Sequence, residues 1–393
     1  MEQEKIHLLI YGANFFERNA SSQRVKNLVF PLIKKNQLIV SNLIVNANKN
    51  IEEEFEFPIN YLNASYKFYN PFSILIFFYK SYIFIKRHRN KKKTDVFFCY
   101  DYPNIENITI LFFAKWLGYK IAFDIVENYS NINLSKSSWE YRFKIYTLIR
   151  MQKLIPRLGS ACFAISSSLV KYCRQICKNS IPVIHLPICV DIDYIKCIER
   201  YPKDHNIIKV FYGGSFGFKD GIPFLIKAFE RACLQSDCLE LLLTGKLSKD
   251  HMNDIELLIN KSPVKEKIKF LGCLPIAEYF KVMVNSDILC MLRVNSAFAN
   301  AGFPFKLGEY LASGNAIIAT NIGDVSHYIQ NRYNALLIPP ESEVLICEAI
   351  IELANNEGFR KRIGLEAFET AKNFFSSHKI SEILYLNIKK LSN

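Results

Sequence analysis

GFPFKLGEYLASG, Gly302 to Gly314, followed after Asn315 by AIIATNIGDV, Ala316 to Val325, reads as a short helix running straight into a buried strand. Pro304 suits a first helical position, where its missing N–H costs nothing, and Gly314 supplies the left-handed residue that ends the helix. Asn300, Ala301 and Gly302 carry little side-chain bulk ahead of it, so a ligand can approach the backbone closely. The free N–H groups and the positive dipole end of such a helix favour an anion. Lys306 and Glu309 stand three apart and share one face. A cation for phosphate beside a carboxylate for a sugar diol points to a nucleotide ligand.

Working outward, the helix-then-strand pattern repeats along the whole chain. Short β-branched runs alternate with longer amphipathic stretches, as in parallel sheets covered by helices. In the first half strands are expected near His7–Tyr11, Leu38–Val45, Val96–Tyr100, Lys120–Asp124, Cys162–Ile165 and Val183–Leu186. After the polar stretch Glu199–Asn206 they restart near Ile208–Tyr212, Glu240–Leu243, Lys269–Leu271, Ile288–Leu292, Ala316–Ala319 and Ala335–Ile338. Two α/β domains follow, 1–205 and 206–375, with a last helix at about 376–393 packing back on the first.

YGGSFGFKDG, Tyr212 to Gly221, comes directly after an expected strand. Gly213, Gly214, Gly217 and Gly221 free the backbone to turn, and Lys219 adds charge. Such loops cradle phosphates through backbone N–H groups, although glycines serve plain turns as well. No Gly-Lys-Ser/Thr follows, so it is not a Walker loop. Lys219 and Lys306 together would clamp a diphosphate and stabilise it as a leaving group.

The charge is uneven. Residues 1–200 hold 28 Lys+Arg against 16 Asp+Glu, and residues 201–393 hold 22 against 21, so nearly all of the net +13 lies in the first half. An anionic partner for that half is implied: a membrane surface, an acidic substrate or nucleic acid. No recognisable nucleic-acid module accompanies the charge, which sets that class aside. The aromatic run Phe72–Lys93 is too short and too interrupted by Lys80 to span a bilayer. It reads either as a buried helix or as an interfacial one whose basic residues reach anionic headgroups, with Arg142, Arg150, Lys153 and Arg157 extending that surface. Eleven cysteines without a CxxC pair read as reduced structural residues, and the amino terminus lacks a secretion-signal pattern. The expected location is cytoplasmic, peripheral on the inner face of the cell membrane.

Asp124 and Glu127 form the best acidic pair of the first half, just past a strand end. They read either as groups near the acceptor or reacting centre, or as a helix cap or salt bridge. Asp191 and Asp193 have the spacing of a DxD metal motif but stand at the junction of the halves, which argues against a bound cation.

The chain resembles the family-4 (group 1) retaining glycosyltransferases of the bacterial surface-polysaccharide type, in the GT-B superfamily. The likeness runs through the Gly12-Ala13-Asn14 loop, AFDIVENY (Ala122–Tyr129), AISSS (Ala164–Ser168), LPICVDIDYI (Leu186–Ile195), the GGSFGFKDG loop and, most specifically, GFPFKLGEYLASG with AIIATNIGDV. It implies two Rossmann-like doubly wound domains facing each other across a cleft. It also implies transfer from a nucleotide sugar to a glycan or lipid-linked acceptor, with no cofactor and no metal. On that pattern Lys219 and Lys306 neutralise the diphosphate and Glu309 takes the ribose hydroxyls. Gly214, Ser215 and the Gly302-Phe303 backbone line the donor. Gly12 and Asn14 close the acceptor side with Asp124, and Glu127 stands near the reacting centre. Front-face attack, with the leaving phosphate helping to remove the acceptor proton, is the reaction drawn for such enzymes. Two departures stand out: Ala301 occupies the first position of the family's usual glutamate pair, and Ser215 lies where the glycine loop commonly carries arginine. Ala301 keeps open a degenerate GT-B protein serving as a membrane-bound assembly partner. A sugar-nucleotide epimerase shares the architecture but needs acid–base residues that are scarce around Gly302.

Overall fold

The computed structural model describes residues 5–17, 19–45, 57–66, 70–89, 95–132, 138–202, 206–245 and 249–391. Lys91, Lys92 and Lys93, the end of the basic aromatic run, lie outside the described residues. The chain divides into two compact units, Met1–Cys189 with Ser377–Asn393, and Val190–Ser376.

The first unit carries strands β1 (Ile6–Tyr11), β2 (Leu38–Val45), β3 (Asn60–Ala64), β4 (Asp95–Tyr100), β5 (Lys120–Ile125), β6 (Ala161–Ala164) and β7 (Val183–His185). They form one parallel sheet in the order β3-β2-β1-β4-β5-β6-β7. The second unit holds β8 (Ile208–Gly213), β9 (Leu239–Thr244), β10 (Ile268–Phe270), β11 (Ile288–Met291), β12 (Ala316–Thr320) and β13 (Leu336–Ile338). Its order is β10-β9-β8-β11-β12-β13, again all parallel. Both are doubly wound Rossmann-like sheets whose direction of winding reverses beside the first strand. Ligands bind such sheets at the carboxyl ends of the strands flanking the reversal. Those are β1 and β4 in the first unit, and β8 and β11 in the second.

Parallel strands of such sheets are buried on both faces, so the central ones are largely apolar: every residue of β1 and β12 is buried. The edge strand β3 escaped the sequence pattern because its residues, Asn-Tyr-Leu-Asn-Ala, include two asparagines and only Ala64 is buried. The expected boundary near residue 205 is corrected to Val190. Val190 bridges to Ser376, and its N–H donates to Phe375 O at 2.8 Å. The Arg200 guanidinium donates to the Val284 carbonyl (3.1 Å), to Asn315 Oδ1 (3.3 Å) and to the Ser313 carbonyl. The polar stretch at 199–206 thus marks a loop, while the change of packing partner comes earlier. The last helix, Ser377–Lys390, belongs to the first unit. Its Ile380, Leu384 and Ile388 join Leu28, Val29 and Leu32 of the helix Ala20–Lys34 in one core.

Candidate functional site

In the second unit the chain leaves β8 at Gly213, which Tyr310 anchors from the helix Phe305–Ser313: its hydroxyl oxygen accepts from Gly213 N at 3.0 Å. Pro304 is the residue before that helix, with ψ 107°, rather than its first turn, and Gly314 ends it at φ 70° as expected. The next loop residue, Gly214, has no Cβ because the space is taken by Lys306 Nζ and the Tyr212 hydroxyl. Lys306 Nζ donates to Tyr212 Oη at 2.7 Å and to Asp220 Oδ1 at 3.2 Å. The other oxygen of Asp220 accepts from Ser215 Oγ and from Gly217 N, each at 3.0 Å. One carboxylate therefore folds the glycine loop back on itself and fixes the lysine beneath it.

The electrostatics follow from burial and charge. The Lys306 side chain is 14% exposed and that of Asp220 2%. Burial disfavours the Asp220 anion, yet Lys306, Arg293 and Lys219 together hold its carboxyl at about 2. Lys306 is pushed below its ordinary value by burial and by its cationic neighbours Arg293 and Lys219, with Asp220 opposing. Lys219 Nζ rests 5.0 Å from the Phe298 ring centroid. The two lysines read from the sequence thus both act on Asp220. Asp220 and Arg293 themselves were missed. The acidic neighbour of Lys219 in the glycine loop was the available signal for Asp220, and none in the sequence marked Arg293.

One turn beyond Lys306, Glu309 is buried, and its Oε2 accepts from Tyr279 Oη at 3.1 Å. Burial pushes its carboxyl up to about 7, against the Tyr279 hydrogen bond and the attraction of Lys306. The Phe303 side chain packs on Tyr328 and Phe375, 5.5 and 5.7 Å between ring centroids, so only its backbone is available to a ligand. Ala301 is buried in the core, and Gly302 follows the short helix Ala297–Ala301. Asn300 ties this segment to the loop after β12, its Oδ1 accepting from Gly323 N at 2.9 Å.

In the first unit Gly12 takes φ 88°, and a Cβ there would lie 2.7 Å from the Tyr100 carbonyl oxygen at the end of β4. Asn42 pins the same loop by donating to the Ala13 carbonyl at 2.9 Å. Asn14 shapes the turn with its own side chain: Oδ1 accepts from Phe16 N (3.0 Å) and Nδ2 donates to Glu17 (3.1 Å). The acceptor-side expectation for Asp124 is corrected. Both its oxygens are held by Arg24, at 2.8 and 2.7 Å, in a fully buried pair, and Arg24 also donates to the carbonyls of Leu186 and Pro187. Asp191 is a helix cap, accepting from Tyr194 N at 3.0 Å.

Glu127 is half-buried and lies close enough to Asp101 to disfavour its ionisation. Asp101 stands at the carboxyl end of β4 with a left-handed backbone, φ 72°. Its Oδ2 accepts from Tyr129 Oη at 2.5 Å, while Oδ1 is buried without a hydrogen bond of good geometry. Burial, with Glu127 and Asp124 adding repulsion, raises this carboxyl to about 7 despite Tyr129 and the Tyr102 N–H. The residue directly after β4 thus carries a buried carboxyl of raised pKa that no sequence pattern marked. A Ser41–His7–Asp95 hydrogen-bonded row also exists, at 3.0 and 2.9 Å. It is buried and begins at the second residue of β1, away from the carboxyl edge, so it serves the core.

Residues 195–370 match the family model described as glycosyl transferases group 1. An uncharacterised glycosyltransferase of Methanocaldococcus jannaschii is 26% identical over 318 residues, 71% of this chain and 77% of the relative. HepE of Anabaena, solved with UDP-glucose, superposes with a TM-score of 0.73 at 13% identity, covering 98% of this chain and 100% of that one. WaaG, described as a glycosyltransferase involved in lipopolysaccharide biosynthesis, gives 0.67 at 11% identity over 96% of this chain and 98% of its own. At such identities the two structures speak for the fold, which is GT-B. Residues 195–370 thus carry the group 1 glycosyltransferase pattern on a chain with the GT-B fold, and these matches support a glycosyltransferase.

Proposed function

We propose that this enzyme is a retaining glycosyltransferase that moves a sugar from its nucleotide carrier to a lipid-linked glycan acceptor during surface-polysaccharide assembly. The observation that carries the donor half is the Lys306–Asp220 cluster with Lys219, one helical turn from Glu309, at the carboxyl edge of the second sheet. There the lysines take the diphosphate, Gly214, Ser215 and the Gly302-Phe303 backbone border it, and Glu309 accepts from the ribose hydroxyls. Fixed cations aimed at a departing diphosphate stabilise charge as it develops, so no metal is required for this step. HepE with UDP-glucose supports a donor of this class.

The acceptor half rests on the first unit. Its helix Pro71–Arg87 buries only Phe77, Ser81, Phe84 and Ile85, so it is not the wholly buried helix of one sequence reading. Phe72 is 74% exposed, Trp116 on the neighbouring helix 76% and Trp139 75%, and Leu75, Ile76, Tyr79 and Phe112 are exposed as well. Arg142 and Arg150 on the helix that begins at Trp139, and Lys153 and Arg157 just beyond it, are exposed. Aromatic side chains with basic neighbours suit the interface of an anionic membrane, where a lipid-linked acceptor resides. No helix among the described residues is long and apolar enough to cross a bilayer, so the proposed contact is peripheral. The role of WaaG in lipopolysaccharide biosynthesis is in keeping with such an acceptor.

Calorimetry with a panel of nucleoside diphosphates and their sugars tests the donor site. Selective binding of one nucleotide, lost in Lys306→Ala and retained with chelator present, is the expected result. Binding to none of them moves the protein to the degenerate assembly partner.

A further inference from the structure

We propose that Arg293 is a third cation of the diphosphate site, delivering from the segment that follows β11 the guanidinium that the glycine loop itself lacks at Ser215. The inference rests on the nucleotide-sugar reading of the second unit and deepens it.

Strand β11 lies beside β8 at the reversal of the sheet, with Ile288 level with Val210 and Leu289 with Phe211. The two chains then stay in contact. Val294 N donates to the Lys219 carbonyl at 3.1 Å, and Gly221 packs so closely on the Leu292 carbonyl that a Cβ there would overlap it. Residues 292–294 are thus laid along residues 219–221, with Arg293 in the middle of one segment and Asp220 in the middle of the other. The Arg293 carbonyl is held from the far side by Thr320 Oγ1 at 2.9 Å, which fixes where the side chain departs. Its charge reaches the cluster, since it favours the Asp220 anion and disfavours the Lys306 cation.

Lys219, Lys306 and Arg293 all favour the Asp220 anion, and a third cation adds to the positive charge that meets a sugar diphosphate carrying about two negative charges. A guanidinium also presents a planar fork that holds two phosphate oxygens at once, which an ammonium does not. Ser215 is exposed and donates to Asp220, so the position where the family usually keeps its arginine is spent here on shaping the loop.

The test is calorimetry of UDP and GDP, with UMP and GMP as one-phosphate controls, on the wild type, Arg293→Gln, Arg293→Lys and the double variant Arg293→Gln/Ser215→Arg. Arg293→Gln is expected to weaken the diphosphate that binds by about tenfold to a hundredfold, the span of one charge-assisted contact. The matching monophosphate should lose less. Arg293→Lys should fall between, and Ser215→Arg should return much of the lost affinity to the double variant. Should Arg293→Gln not fold, Arg293→Lys and Ser215→Arg in the wild type carry the same comparison. Diphosphate affinity within about twofold of wild type in Arg293→Gln, or in Arg293→Lys if that is the variant that folds, overturns this inference alone. A wild type that binds no nucleoside diphosphate overturns the donor-site reading and this inference with it.

Discussion

Donor affinity should depend on pH through one buried carboxyl, that of Glu309. Burial places it at about 7 in the free protein, against an ordinary 4.5, so its charged form is disfavoured by roughly 3 kcal/mol. A ribose diol donates hydrogen bonds and is best received by the anion, so binding must first remove the proton wherever the free protein holds it. Above about pH 8 that cost vanishes, and below about pH 7 affinity should fall by about tenfold per unit, or ~1.4 kcal/mol. UDP-glucose is the suitable probe, because its diphosphate is esterified at both ends and lacks the phosphate proton that titrates near ~6 in a monoester. Calorimetry from about pH 6 to about pH 8 should show roughly tenfold tightening, with proton release on binding at the acid end. Glu309→Gln should be weaker at the alkaline end by ~1.5–3 kcal/mol and should lose the slope. A flat wild-type profile, or an unchanged slope in Glu309→Gln, removes Glu309 from the ribose. The same shift acts on stability with a definite sign. Glu309 and Asp101 both hold protons more tightly folded than unfolded, so their contribution is fully present below the unfolded value. It is lost as pH rises through about 7.

Two further outcomes separate structure from chemistry in the first unit. Asp124→Ala strands the buried Arg24 guanidinium and should cost ~3–5 kcal/mol, lowering the melting temperature of that unit by about 10 °C. Normal melting with lost transfer would instead return Asp124 to the acceptor. Replacing Phe72 and Trp116 with serine should weaken sedimentation with anionic vesicles several-fold while leaving UDP affinity in place. Equal binding of both proteins to vesicles at low salt would show that this face does not meet lipid.

Much of the framework was legible because parallel strands covered on both faces must be apolar runs, and twelve such runs recur between amphipathic stretches. The helix Phe305–Ser313 and the lysine and glutamate on its face were legible too, since three-residue spacing is a local property. What depends on register was not. Arg24 meets Asp124 a hundred residues away, and that pairing turned an expected acceptor contact into an element of the core. Burial raises the Asp101 carboxyl in spite of the Tyr129 hydrogen bond, and β3 was lost because an edge strand is free to carry asparagines. The boundary at Val190 depends on where Arg200 and Val190 find partners, which composition does not record. Sequence by itself determined the alternation of strand and helix, and the local pairing of cation and carboxylate on one helix face. Only the tertiary structure decided which charges share a site, because parallel strands bring together residues far apart in the chain, and burial then sets their protonation.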